Sequence, residues 1–230
     1  CARVSAALLR GQRNSFGLNF REAEDAFSEL LSLYALEDVA ARCPGAPSRA
    51  FVLMNQALAH SSQERFVTAD GLFDRAEALM DGEEADHPNL ERDRALLTAY
   101  RAQDQLNRSI LDGARAFVER AVAGLEDASG VALTADPAFA GADLLLGDSG
   151  EGQLRVIEEA SNRHTLAHVR LLEGDVQGAE DAIDEALDLI RLLPRAAAAY
   201  RPRFLSQRAL IRLELGDAAG ARDDAAFAAE

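Results

Sequence analysis

From Gly174 to Leu187 the chain reads Gly-Asp-Val-Gln-Gly-Ala-Glu-Asp-Ala-Ile-Asp-Glu-Ala-Leu, a glycine that closes one helix followed at once by the start of another. Val176, Ala179, Ile183, Ala186 and Leu187 fall at three- and four-residue spacing, so they share one helical face. Ala179 and Ala186 on that face let a neighbouring helix approach closely, and Ile183 fills the space between them. This is the pattern of the second helix of an antiparallel pair. What most limits the fold is that the pattern recurs. Phe20, Ala23 and Phe27 repeat the spacing of Val176, Ala179 and Ile183, as do Phe66, Ala69 and Phe73, and then Leu111, Ala114 and Val118. A fifth copy has Gly216 and Asp217 followed by Ala221, Ala225 and Ala228. A small residue stands upstream of each copy: Gly11, Ala57, Ala102, Ala167 and Ala209. Internal repetition of this kind predicts helix pairs stacked on one another, each covering an apolar face its neighbour cannot bury alone.

These residues resemble the tetratricopeptide repeat, in which a small residue lies midway along a first helix, a Gly-Asp-like turn follows, and aromatics alternate with alanines along a second. The resemblance covers nearly the whole chain. Leu18 and Glu64 depart from it by standing where the turn glycine is expected. The copies also start about 42 to 65 residues apart, against a family period of about 34. The resemblance implies an all-α, right-handed superhelical array of five antiparallel helix pairs, forming one domain over 1–230. The repeats are placed at about 4–37, 50–83, 95–125, 160–193 and 202–230.

Composition fits a helical scaffold and removes one class of partner. Much of the apolar content is alanine, the best helix former. All 24 basic residues are arginine, and the alanine and arginine load fits a GC-rich bacterial genome. A formal net charge of -15 argues against nucleic acid, which needs a clustered positive surface. No apolar run approaches the length that spans a bilayer, so membrane attachment would require a lipid anchor at Cys1 or sequence outside this chain. A chain beginning with cysteine matches the mature end of a bacterial lipoprotein; the alternative is an arbitrary boundary. The compartment is accordingly either cytoplasmic or exported and lipid-anchored. Two cysteines make no disulfide framework, and Cys43, in the Arg-Cys-Pro-Gly loop, reads as a free thiol.

Helix two is expected from Phe20 to about Val39, with Pro44 and Pro47 breaking the chain after it. The one long irregular stretch, 126–152, reads as a mobile insertion or as an extra element packed on the array. Within it, Gly147-Asp-Ser149-Gly150 resembles the nucleophile signature of trypsin-like serine proteases. That chemistry needs a histidine and an aspartate placed by β-barrels, and no strand is expected. His164 and His168 stand one helical turn apart. With a third ligand they would suit a metal, but no His-Glu-x-x-His pattern is present. The reading adopted puts both histidines on the open side of a first helix, where they contact a partner or solvent.

Stepping by three and four along each first helix nominates the rest of that surface. It yields Gln12 and Phe16; Met54, Leu58 and Ser62; Ala99, Gln103 and Asn107; Ser161, His164, His168 and Leu172; and Arg203, Ser206, Leu210 and Glu214. Arrays resembling this one bind peptides or folded proteins along that inner groove. The groove lacks the paired lysines and asparagines that similar repeats use to clamp a peptide C-terminus. The expected function is a non-catalytic interaction scaffold with a protein or peptide partner, no cofactor, no metal and no catalytic residue. The alternative is a hydrolase using Ser149, or a metal at His164 and His168. The chain also looks like the repeat regions that precede a CHAT domain, a caspase-like peptidase fold, in larger bacterial proteins. It would then supply recognition to a domain beyond Glu230.

Overall fold

The computed structural model describes residues 1–16, 18–36, 39–43, 46–129 and 150–229. Every regular element among them is a helix. The chain divides into two compact units, 1–110 and 111–230. The third expected helix pair is therefore shared out, its first helix in one unit and its second in the other.

The first unit holds α1 (Ala2–Phe16), α2 (Phe20–Leu36), the single turn α3 (Val39–Arg42), α4 (Arg49–Ser61), α5 (Phe66–Asp81) and α6 (Leu90–Asn107). α1 packs on α2 and α4 on α5; α4 also lies against α1, α2 and α6, and α5 against α6. The small residues do what their spacing predicts. Ala23, Ala57, Ala69 and Ala102 are fully buried, and the two aromatics between them, Phe27 and Phe73, are sealed beside them. A Cβ on Gly11 would land 2.4 Å from the Phe27 ring, so this contact of α1 with α2 requires glycine. One core joins Val4, Ala7, Phe27 and Leu30; the other joins Phe51, Met54, Phe73, Met80 and Leu96. Each of these side chains larger than alanine contributes about 1.5–3 kcal/mol through its burial. The N-terminus of α4 is capped twice. The Ser48 hydroxyl accepts the Phe51 N–H at 2.9 Å, and the Glu84 carboxylate takes the N–H groups of Arg49 and Ala50 at 2.7 and 2.9 Å. Asp93, fully buried, accepts from Ser48 and lies against Arg92. Burial nevertheless lifts its pKa above the ordinary carboxylate value.

The second unit holds α7 (Leu111–Ser129), α8 (Gly150–Glu173), α9 (Val176–Arg191), α10 (Pro194–Glu214) and α11 (Ala218–Ala228). Each packs on the next, and α8 also touches α10. Ala114, Ala167, Ala179 and Ile183 are fully buried. Three helices are stitched by charge: Arg208 of α10 reaches Asp184 of α9 and Asp224 of α11, each at 2.7 Å, while Arg212 meets Asp224 at 2.8 Å. Asp224 is almost wholly buried, and only this double pairing makes a carboxylate tolerable there.

Five turns share one backbone form. Leu18, Glu64, Ser109, Gly174 and Gly216 all adopt positive φ, between 59° and 83°. Each N–H bonds to the carbonyl three residues back, and the next N–H to the carbonyl five back, as in Gly174 to Leu171 and Asp175 to Arg170. This is the left-handed helix stop that favours glycine. The sequence expectation of a turn at Leu18 and Glu64 holds despite the missing glycines, and Ser109 makes the same turn. Where Asp175 and Asp217 follow the glycine, their carboxylates accept the N–H of Gly178 at 3.0 Å and of Gly220 at 2.9 Å.

Several expectations need correction. Cys1 and Cys43 form a disulfide, with Cα atoms 5.1 Å apart, so Cys43 is no free thiol. Because α2 runs antiparallel to α1, the stretch after α2 returns to the start of α1. A thioether-linked lipid on the Cys1 sulfur and this bond exclude one another. α2 ends at Leu36, with α3 after it. Residues 126–129 and 150–152 are helical, continuing α7 and opening α8, so the irregular stretch is shorter than 126–152; 130–149 lie outside the described residues. The first helices of the last two pairs begin at Gly150 and Pro194, well before 160 and 202, and Pro202 sits inside α10.

Candidate functional site

In the first unit the nominated surface is largely closed by its own hydrogen bonds. Gln12 and Leu58 are half-buried, Ser62 caps α4, and the side chain of Phe16 lies outside those described. Met54 is fully buried and Ala99 nearly so, which makes them core residues rather than groove lining. The reason is packing: α4 is covered by α2, α5 and α6, leaving a narrower open strip than a helical wheel implies. Gln103 donates to Asn107 at 3.1 Å, and Asn107 donates across to Ser61 of α4 at 2.9 Å. One step along, the Tyr100 hydroxyl reaches Asn55 Oδ1 at 3.4 Å. Polar groups here already have partners.

The second unit presents the same surface in another state. α8 turns back through α9 into α10, so α8 and α10 run the same way side by side. His164 of α8 stacks on Phe204 of α10, ring centres 4.9 Å apart and planes 25° from parallel. It is 7% exposed, so solvation is excluded for it, whereas His168 is exposed. Burial pushes the His164 pKa down to about 3, and Arg203 and then His168 push the same way. His168 is lowered too, by burial and then by Arg203. Both imidazoles are therefore neutral at pH 7. Arg203 is exposed, and only the packing along its inner part lowers its pKa, with Tyr200 partly restoring it. Tyr200 is pushed up to about 12 by burial, against the pull of Arg203 and with that of Glu158. Among the described residues Arg203 makes no ion pair or hydrogen bond. Gln207, one turn on, has both amide atoms buried without a hydrogen-bond partner among them. Such a group is costly to leave unmatched.

The remaining nominees lie around this cluster. Ser161 is half-buried beside it, and Ser206 is exposed with its hydroxyl bonded back to the Pro202 carbonyl at 2.9 Å. Leu172 and Leu210 are exposed to 52% and 58%, and Glu214 is exposed beyond them. Sequence reasoning missed Tyr200 because it started this helix at 202, and missed Phe204 and Gln207 because the stepping from Arg203 to Ser206 and Leu210 passed over them. Pro194 was the available signal, since proline at the first helical position is favoured.

The alternative chemistries centre on Ser149 and on the histidine pair. Ser149 falls outside the described residues. Among those described, no three His, Cys, Asp or Glu side chains gather in a way that could hold an ion, and His164 is engaged with Phe204. A polar cleft of about 400 Å³ opens at the other unit, lined by Arg21, Glu24, Asp25, Gln63 and Arg65. Within it Arg65 pairs with Glu24, whose pKa falls chiefly for that reason. No described helix is long and apolar enough to cross a membrane. No protein-family model matches the chain, and a search of curated proteins finds no match.

Proposed function

We propose that the chain is a tetratricopeptide-like helical array serving as a non-catalytic scaffold, which receives a peptide or protein segment on its first helices, chiefly α8 and α10. The fold reading is supported by the five identical turns and by the packing pattern within each unit, where first helices meet both their partners and the next first helix. The observation that carries the function is the uncommitted state of one face. Gln207 has its amide buried without a hydrogen-bond partner among the described residues, and Leu172 and Leu210 stand in water, on a surface whose counterpart in the other unit is internally bonded. In a larger protein the array would supply specificity to a domain such as a CHAT peptidase and would do no chemistry itself.

The test is selection from a random peptide display library against the intact protein. Selected peptides should lose binding to the double variant Leu172→Asp, Leu210→Asp while that variant keeps its helical circular dichroism. Peptides that bind the double variant as well as the parent would place recognition elsewhere and overturn this reading.

A further inference from the structure

We infer that the Cys1–Cys43 disulfide is a redox latch on α1: its reduction lets this helix leave the first unit while the rest of that unit stays folded. The latch works whether or not the array is a scaffold.

Burial separates α1 from its neighbours. Over its 15 residues only Val4, Ala7 and Gly11 are buried among those described, whereas the 13 residues of α4 include ten that are buried. α1 packs chiefly on α2 and touches α4 to a lesser extent. Its ion pair, Arg10 with Glu29, is exposed at both ends and so adds little. A helix of this length is marginal on its own in water. Docking also holds the turn after α1 with Leu18 at a φ of 59°, a backbone region that leucine rarely occupies. The covalent bond therefore supplies much of what keeps α1 in place.

The two halves of the bond differ in the way a latch requires. Cys43 is buried in one core with Val4, Phe27 and Leu30, and its backbone is fixed locally: its N–H donates to the Val39 carbonyl at 2.8 Å and its carbonyl accepts the Ala46 N–H at 2.9 Å. Cys1, at the head of α1, is exposed. A thiolate of a dithiol reductant can therefore attack the Cys1 sulfur, forming a mixed disulfide as the Cys1–Cys43 bond breaks and Cys43 leaves as a thiolate that takes a proton from water. The reductant's second thiolate then attacks its own first sulfur and frees Cys1, which is protonated in turn. Two electrons pass from the dithiol to the protein, and the dithiol becomes a disulfide. Cys43 keeps its place, and α1 is the part free to move. Its departure uncovers Phe27 and Leu30 of α2, both fully buried in the latched form. The buried residues of the other core, around Met54, Phe73 and Leu96, include none from α1.

The experiment follows amide exchange of the intact oxidised protein by mass spectrometry before and after dithiothreitol, with alkylation counting the two thiols released. Reduction should proceed without denaturant and speed exchange in α1 by about 30- to 700-fold, the factor that corresponds to losing the loop closure. α2 and α3 should speed up less, and α5 and α6 should keep their rates. Cys1→Ser, at an exposed position, should give the same pattern with no reductant, and reoxidation of the parent should restore slow exchange. If α1 exchanges as slowly with both thiols released, or as slowly in Cys1→Ser as in the oxidised parent, the bond is no latch. If α5 and α6 accelerate as much as α1, the bond braces the whole unit and the latch is again wrong. A bond that dithiothreitol reduces only in urea would show that Cys1 is out of reach, and that result overturns the latch as well.

Discussion

The two units build their helix pairs in the same way and finish them differently. Inside the pairs, Ala69 with Phe73 and Ala179 with Ile183 hold equivalent, fully buried places. On the first-helix face the first unit bonds Asn107 to Ser61 and Tyr100 to Asn55, while the second leaves the buried Gln207 amide unmatched among the described residues and two leucines in water. One repeated interior can thus carry either a closed or an open face. The alanine and aromatic positions decide whether the pair forms; the residues one turn away decide whether its outer face is closed or open.

The largest effect expected in the solvent-closed unit is on its staple. The Cys1–Cys43 bond closes a loop with a sequence separation of 42. Loop-closure entropy predicts a loss of about 2–4 kcal/mol when it is reduced. Hydrogen exchange before and after a reductant should speed up in α1, α2 and α3, with α8 to α10 unchanged. Equal acceleration in both units would mean they do not differ in this way.

Acid should strike the open unit through His164. The folded-state pKa of that histidine, about 3, lies below its unfolded value, so the unfolded chain binds the extra proton first. The stability this neutral imidazole contributes is whole above about pH 6.5 and is lost as pH falls toward 3, about 2–3 kcal/mol by pH 4. Asp93 in the first unit has the opposite sign: its raised pKa contributes stability that is present at low pH and fades as pH rises. His164→Phe keeps a ring against Phe204 and removes the titration. Its urea midpoint should therefore fall less between pH 7 and pH 4 than the parent's, and parallel curves would show that His164 is not the titrating group.

A smaller test addresses the closed face. Asn107→Ala leaves the Ser61 hydroxyl and Gln103 without their partner and should cost about 1 kcal/mol. Ser206→Ala, at the corresponding rim of the open face, removes only a bond within its own helix and should cost less than about 0.5 kcal/mol by denaturant titration. Equal costs would erase the distinction between the faces.

The helix pairs were legible because burial follows period. Ala23, Ala69, Ala114 and Ala179 sit at fully buried positions that spacing alone nominates. The disulfide was not legible, because its partners meet only once α2 has folded back along α1. Nor were the starts of α8 and α10. Pro202 marks a break by local rules, yet α10 runs through it, with Phe204 and Leu205 buried immediately after it; packing overrides propensity there. Of the site, Arg203, His168, Leu172 and Leu210 were found from the wheel. Met54 and Ala99 were misplaced because a wheel does not contain the neighbouring first helix that covers them.

In the turns the two units solve one problem with different residues. Gly174 and Gly216 hold φ of 83° without penalty in the second unit; Leu18, Glu64 and Ser109 hold 59° to 62° in the first. A side chain in that region crowds its own backbone, at a cost of about 1–2 kcal/mol. Glycine removes the crowding but gives the unfolded chain more freedom, which returns part of the gain. Glu64→Gly and Ser109→Gly should therefore each stabilise by about 0.5–1 kcal/mol, and Gly174→Ala should destabilise by a similar amount even though open space surrounds its Cβ. Leu18 is 73% exposed, so no buried contact opposes Leu18→Gly, and it should gain as much. Because the five turns share their hydrogen bonds, the three gains should be alike and additive in thermal or urea unfolding. A loss at any of the three would mean that its side chain holds the turn by a contact the others lack, and that the turns are not one repeated device.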